Sequence, residues 1–589
     1  MYSVDPRRLL SIVCLFPKGS RQKRKPPRPQ PQQTHRLNLS GGGGPPRRKT
    51  SGYARPQFNG PMELETLMEE GASPGPGSRE GEAPTADDGT RVSLSNGDKA
   101  PHSHRSQQPQ QEELNSAAAM KSNSDRPRSS LNLYLAACTV NMGALAAGCA
   151  LTWSSPTLVK LESGETGLKI TGDQSSWVGS LVTLGAAIGP ILAGALLDRL
   201  GRKHTILLSM VLSAISWIMI GVIPSIVSLY LARVLAGIAV GVIFTAVPMY
   251  IAEIAEMRLR SSLGTLMQFF LVVGFLLEYI VGPYTSYLTL VIVSLATPVL
   301  CFGMFVWMPD SPHSLLIRPG GEQKAMESLR WLRGNPQETA LIKELEDIKK
   351  SVDDSKKQKS GIGELFANKG NIKAVVISCA MVAWQQLSGI NVVLLYSETI
   401  FLKTGVDLSA SVSTIIVGTV MLVAAAVTPT LAKMTTMRML LYISAIGMAI
   451  TDGTLGLFFY LQNSGNDVSS IGWLPVTSLV LFIITYCLGF GPLPWAIMGE
   501  IFPGNLKSVA SALTASFCWM LGFVLTKMFS MVCDAIGIHF VFWLFSVCCI
   551  LALLFTAFLL PETEGKTLQE IQDMLHGRNK SGNLKMTRA

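Results

Sequence analysis

Twelve apolar segments, each near the length that crosses a bilayer, leave this chain few ways to fold. They run near 131–153, 175–197, 204–224, 226–252, 264–285 and 287–308, then near 374–402, 411–432, 438–461, 473–499, 506–532 and 538–560. A spanning helix needs ~20 apolar residues, and only helices or closed barrels satisfy all backbone groups inside hydrocarbon. The expected fold is therefore an all-α membrane protein with twelve transmembrane helices in two six-helix halves. Only 15% of the residues are charged, against about 25% in ordinary soluble domains.

The polar remainder supplies the boundaries. Residues 1–130 are rich in Pro, Gly, Ser, Gln and basic residues and read as a disordered tail. Residues 131–308 form the first half, 309–373 a linker with short helices, 374–560 the second half, and 561–589 a C-terminal tail. Lys and Arg concentrate in both tails, in the linker, at Arg199/Arg202/Lys203 and at Arg258/Arg260. With twelve spans these all lie on one side, which the positive-inside rule makes cytoplasmic. The tail carries Asp5-Pro6-Arg7-Arg8-Leu9-Leu10, spaced like an acidic dileucine sorting signal, and Arg47-Arg48-Lys49-Thr50-Ser51, a basic-directed phosphorylation pattern. Trafficking or kinase partners are the corresponding expectation. The net charge of +10 brings no basic face with aromatic platforms, so nucleic acid is not an expected partner. The 10 cysteines fall almost wholly in apolar segments without metal-ligand spacing, so neither metal nor other cofactor is expected.

One polar stretch interrupts the hydrocarbon-length pattern: Gln385-Gln386-Leu387-Ser388-Gly389-Ile390-Asn391. At ~100° per residue the three amides cannot share one stripe of a regular helix, and Ser388-Gly389 offers a place to break. Amides that both donate and accept suit a ligand rich in hydroxyls. The alternative reading is interhelical polar glue. The halves also echo each other at offsets near half the membrane region. Asp198–Lys203 follows the second span and Lys433–Arg438 the eighth; Glu253 with Arg260 follows the fourth, Glu500 with Lys507 the tenth. Transporters built from such repeats bind substrate between the halves.

These motifs resemble those of the sugar porters of the major facilitator superfamily. The carriers are Asp198–Lys203, Pro248-x-Tyr250-x-x-Glu253 with Arg260, Arg330-Trp331-Leu332-Arg333-Gly334, Gln385–Asn391, Gly491-Pro492-Leu493-Pro494-Trp495 and Pro561–Leu568. Ile471–Pro475 and Leu488–Phe502 are most similar to insect facilitated trehalose transporters. The resemblance implies that Gln268, Gln385, Gln386, Asn391 and Trp495 line a sugar site and that Tyr396 is an outer gate. It also implies that Asp198, Arg199, Arg202, Glu253, Arg260, Glu500 and Lys507 form an inner salt-bridge network. The departures are informative. Gly148-Cys149-Ala150 in the first span lacks the carboxylate of proton-coupled relatives; Met421 and Cys518 stand where relatives carry Asn; His313 and Lys507 replace Arg. The resulting expectation is sugar uniport by alternating access, with trehalose favoured over hexoses, in the cell membrane, and no enzymatic activity. A sugar sensor that does not cycle, a proton symporter and an endolysosomal location are the alternatives.

Overall fold

The structure, a computed structural model, describes residues 131–575 apart from 166–167, 224, 257, 335–336, 358–360, 406–408, 432–433, 504–505, 563–565 and 567. The sorting and phosphorylation patterns of the tail, and Lys433 of the degraded loop motif, lie outside the described residues. Everything described here is helical or connecting backbone. In the first half these are α1 (Leu131–Thr152), α2 (Ser154–Ser163), α3 (Gly172–Val222), α4 (Ile226–Ile254), α5 (Arg260–Tyr284) and α6 (Tyr287–Phe305). The linker holds α7 (Pro312–Ile317), α8 (Glu322–Arg333), α9 (Glu338–Lys357) and α10 (Ile362–Leu365). The second half has α11 (Lys369–Leu387), α12 (Ile390–Thr404), α13 (Ala410–Leu431), α14 (Met437–Asn463), α15 (Leu474–Leu488), α16 (Leu493–Ile501), α17 (Lys507–Ile536) and α18 (Ile538–Phe558), followed by α19 (Leu568–Leu575).

Eleven helical stretches among the described residues are long and apolar enough to cross a membrane. The twelfth span is contained in α3. Its 51 residues, at ~1.5 Å each, would reach more than twice a hydrocarbon thickness if straight. Gly201, at φ 79° and ψ 175°, breaks it into an outgoing and a returning span. Only glycine fits there: a Cβ would sit 2.6 Å from Arg318 Nη2 and 2.7 Å from Ser314 Oγ. The start of α3 is fixed by a capping box in which the Thr171 hydroxyl accepts from Gln174 N–H and the Gln174 amide accepts from Thr171 N–H. The long helices then pack through small residues, as membrane helices do where no water drives association. At Gly237 of α4 a Cβ would lie 2.1 Å from the Val182 carbonyl of α3.

The linker docks on one end of the bundle, termed here the linker side. Asn132 at the start of α1 donates to Trp331 O at 2.8 Å, Tyr250 donates to Pro309 O at 2.8 Å, and Arg333 donates to Ile254 O at 3.0 Å. Arg333 also pairs with Glu344 at 2.6 Å, tying α8 to α9. Between the halves, α3 packs along α17 and α5 along α13.

Candidate functional site

The amide-rich stretch breaks where the sequence suggested. α11 ends at Leu387 and α12 starts at Ile390; Gly389 between them has φ 83°, and a Cβ there would strike the Phe545 ring at 2.5 Å. The break turns the polar side chains toward one another. Asn391 Nδ2 donates to Gln386 Oε1 at 2.6 Å, and Gln386 Nε2 donates to Cys518 Sγ at 3.1 Å. Gln385 Nε2 donates to Phe490 O at 2.7 Å, to Gly491 O at 2.9 Å and to Tyr486 Oη at 3.2 Å. α17 can approach this cluster because Gly522 has no side chain: a Cβ there would lie 2.8 Å from Asn391 Nδ2. Gln385, Gln386 and Asn391 are all buried, and Cys518 belongs with them.

The other two residues expected to line the site are Gln268 and Trp495. Gln268 of α5 is exposed and Trp495 of α16 half-buried, and no hydrogen bond of the amides reaches either. Met421 is buried on α13. Tyr396 lies farther along α12, at a residue with non-helical φ/ψ, where its hydroxyl donates to Thr526 O at 3.2 Å. Its ring rests against Gly179 of α3, in the opposite half.

The halves are joined on the side away from the linker. Ser154 Oγ donates to Leu395 O at 3.3 Å, Glu398 N–H donates to Ser155 Oγ at 3.2 Å, and Tyr279 Oη donates to Leu394 O at 2.8 Å. Lys527 of α17 pairs with Asp173 at 2.8 Å and lies over the Trp177 ring. These four contacts had no motif behind them. Three use main-chain groups of α12, whose positions the local sequence does not encode.

The linker side is different. Of the seven residues expected in the inner network, only Arg202 and Glu253 form an ion pair among the described residues, at 2.8 Å. Ser311 donates to the other Glu253 oxygen, and His313 Nδ1 stands 3.5 Å from Oε1. The expected Glu253–Arg260 pair is corrected: Arg260 opens α5 at an exposed position, whereas the turn at Gly201 brings Arg202 onto Glu253. Asp198, Arg199 and Lys507 are exposed, and Glu500 Oε2 is buried without a partner. Burial pushes the His313 ring below the ordinary histidine range; Arg202 adds to this and Glu253 opposes it.

Three charged residues inside the spans find partners. Arg233 of α4 is fully buried and donates to Val178 O at 3.0 Å and Ala150 O at 2.7 Å, with its guanidinium 5.2 Å from the Trp153 ring centre. Glu278 accepts from Ser294 at 2.6 Å, and Asp452 faces Cys549 Sγ at 3.9 Å. None of the three hydrogen-bonds the amide cluster. Among the described residues no group of His, Cys, Asp and Glu is arranged to hold a metal ion.

A profile of the family described as sugar (and other) transporter matches residues 105–575. The chain is 37% identical over 446 residues to the facilitated trehalose transporter Tret1 of Anopheles gambiae, covering 75% of this chain and 56% of that protein. The Tret1 of Culex quinquefasciatus is also 37% identical, with 86% of its length covered. The chain thus spans little more than half the length of the Anopheles relative. Among solved structures, the proton:xylose symporter XylE bound to 6-bromo-6-deoxy-D-glucose superposes with a TM-score of 0.62 at 24% identity, over 76% of this chain and 100% of that one. The inward-open conformation of the E. coli xylose transporter XylE gives 0.63 at 24%, over 75% and 99%. Twelve spans, a duplicated loop motif, a broken amide-bearing helix and the profile match along most of the length agree: the chain belongs to the sugar transporter family and has the major facilitator fold.

Proposed function

We propose that this chain is a facilitative sugar carrier, a uniporter working by alternating access, with trehalose the favoured substrate and glucose-like hexoses next. The observation that carries this reading is the paired amide cluster at the α11/α12 break, neutral and bidirectional in hydrogen bonding, between two halves that hydrogen-bond each other on the far side of it. A sugar presents hydroxyls that such amides both accept from and donate to. Gln385, Gln386 and Asn391 bind those hydroxyls. Gln268 and Trp495 complete the site when the halves close on the linker side, the indole stacking on a sugar C–H face.

Tyr396 acts as the far-side gate, and Arg202, Glu253, Asp198, Arg199, Arg260, Glu500 and Lys507 as the linker-side network, disengaged between halves in the state described. In this reading the linker side is cytoplasmic, the protein sits in the cell membrane, and the N-terminal tail meets trafficking or kinase partners. The identity to trehalose transporters supports the choice of substrate. The first span supports uniport, because it carries Cys149 where proton-coupled relatives carry a carboxylate and has no Asp or Glu of its own.

Counterflow of labelled trehalose into proteoliposomes tests the proposal. Saturable exchange with no current and no dependence on a pH gradient is expected. Binding without exchange would make the protein a sensor. A sugar-evoked current that grows on acidification would make it a symporter, with buried Glu278 the first suspect.

A further inference from the structure

We infer that Gln385 is a positioning residue that ties together the two broken helices of the second half, its amide nitrogen serving the backbone of one and leaving only Oε1 to the sugar. The sequence creates the need. Between α15 and α16 the chain reads Gly489-Phe490-Gly491-Pro492-Leu493-Pro494. The helical donor for the Phe490 carbonyl would be the N–H of residue 494, and Pro494 has none. An unpaired carbonyl at membrane depth costs several kcal/mol, so this one requires a partner from elsewhere.

Gln385 is that partner. Its Nε2 reaches Phe490 O at 2.7 Å and Gly491 O at 2.9 Å, with Tyr486 Oη at 3.2 Å. Carbonyls only accept, so the amide orientation is fixed: the nitrogen must face them. Its two hydrogens are committed to the break in α15/α16, while its own main chain forms the end of α11, where Ser388 Oγ caps Gln385 O at 2.7 Å. One side chain therefore spans both discontinuities. Movement of α16, which carries Trp495, is transmitted to the segment bearing Gln386 and Asn391. A substrate hydroxyl that captured Nε2 would have to release α16.

Gln386, its neighbour, has the opposite chemistry. Its Oε1 accepts from Asn391 Nδ2, so an anionic oxygen there keeps its donor. The contrast yields a test that rests on the sugar-site reading for one readout and is independent of it for the other. Gln385→Glu and Gln386→Glu are compared with wild type in proteoliposomes and in detergent. At position 385 a neutral carboxylic acid can donate to Phe490 O or Gly491 O, but the carboxylate is repelled by both. The titratable side chains that touch Gln385 are Tyr486 and Cys518.

Trehalose counterflow by Gln385→Glu should be low at neutral pH and climb on acidification, approaching about tenfold per pH unit above the pKa of the new carboxyl. Its melting temperature without sugar should also rise on acidification. Gln386→Glu should show neither acid rescue. A Gln385→Glu variant with wild-type counterflow at neutral pH, or with the same pH response as Gln386→Glu, overturns the tie. If wild type itself exchanges no sugar, the transport reading fails, and the melting-temperature contrast still decides whether Gln385 joins the helices.

Discussion

Replacing Gly179 by alanine should hold the protein open on the side away from the linker. A Cβ at this position would lie 2.6 Å from Tyr396 Oη, 3.0 Å from Cζ and 3.4 Å from Cε1. Non-bonded heavy atoms settle near 3.5 Å or beyond, so the ring must retreat by about 1 Å. That retreat breaks the Tyr396–Thr526 hydrogen bond, about 0.5–1.5 kcal/mol net. It also overpacks a ring seated against Phe529, about 1–3 kcal/mol. Only the closed state bears these costs, since Gly179 and Tyr396 belong to different halves. The sum, about 1.5–4.5 kcal/mol, moves the equilibrium toward the open state by roughly one to three decades at ~1.4 kcal/mol per tenfold. The assay is the rate at which a membrane-impermeant thiol reagent labels Ser155→Cys from the far side, read together with counterflow. Labelling should accelerate and counterflow fall. Adding Tyr396→Phe removes the nearest atom and should restore part of both. Unchanged labelling and unchanged counterflow in Gly179→Ala would refute the placement of Tyr396 in the closure.

Other expectations follow from the two sides of the site. Cys518→Asn should tighten hexose binding up to about tenfold, by giving Gln386 a stronger partner at ~0.5–1.5 kcal/mol, whereas unchanged binding removes Cys518 from the site; equilibrium binding reads this. Glu253→Gln should perturb linker-side accessibility more than Lys507→Ala, because Glu253 pairs with Arg202, accepts from Ser311 and faces His313, while Lys507 is exposed with no ion pair among the described residues. His313 is held below its ordinary range, so the unfolded chain binds its proton more readily than the folded one. Its contribution to stability is therefore fully present above the unfolded value of ~6.5 and is lost as pH falls from there through the depressed folded value. His313→Gln should flatten the acid limb of melting temperature against pH, and an identical limb would count against the burial argument.

Much of the architecture was legible because hydrophobic length is a direct readout of bilayer thickness. The α11/α12 break was legible for a related reason: three amides at 385, 386 and 391 cannot face one way on a regular helix, so the helix had to yield at Gly389. Gly201 was harder, since the sequence separates the two spans it joins but does not show that one residue at positive φ turns the chain between them. Arg233 had no readable partner because its acceptors are the main-chain oxygens of Ala150 and Val178, which carry no residue code. Tyr486 was illegible for a different reason, sequence distance. It meets Gln385 across 101 residues, through a bend whose geometry depends on Pro494. The Glu253–Arg260 spacing suggested a pair, but spacing within one connection could not anticipate that Arg202 arrives first, 51 residues upstream.

The bonds that close the far side have a consequence for the medium in which the protein works. Ser154 and Tyr279 each donate a neutral hydroxyl proton to a main-chain carbonyl of the other half, and Ser155 accepts from a main-chain N–H there. Dissolved electrolyte screens exposed charges beyond ~8–10 Å at physiological ionic strength, and neutral bonds give it almost nothing to screen. The charged member among the described residues, Lys527–Asp173, has an acid that is mostly solvent-exposed, so it adds little. The opposite face is ionic at its heart, with Arg202 on Glu253. A protein built this way closes its far side with a strength that does not follow the salt content of the medium there. On its other face it keeps the charges that salt, lipid headgroups or a covalent phosphate are able to modulate.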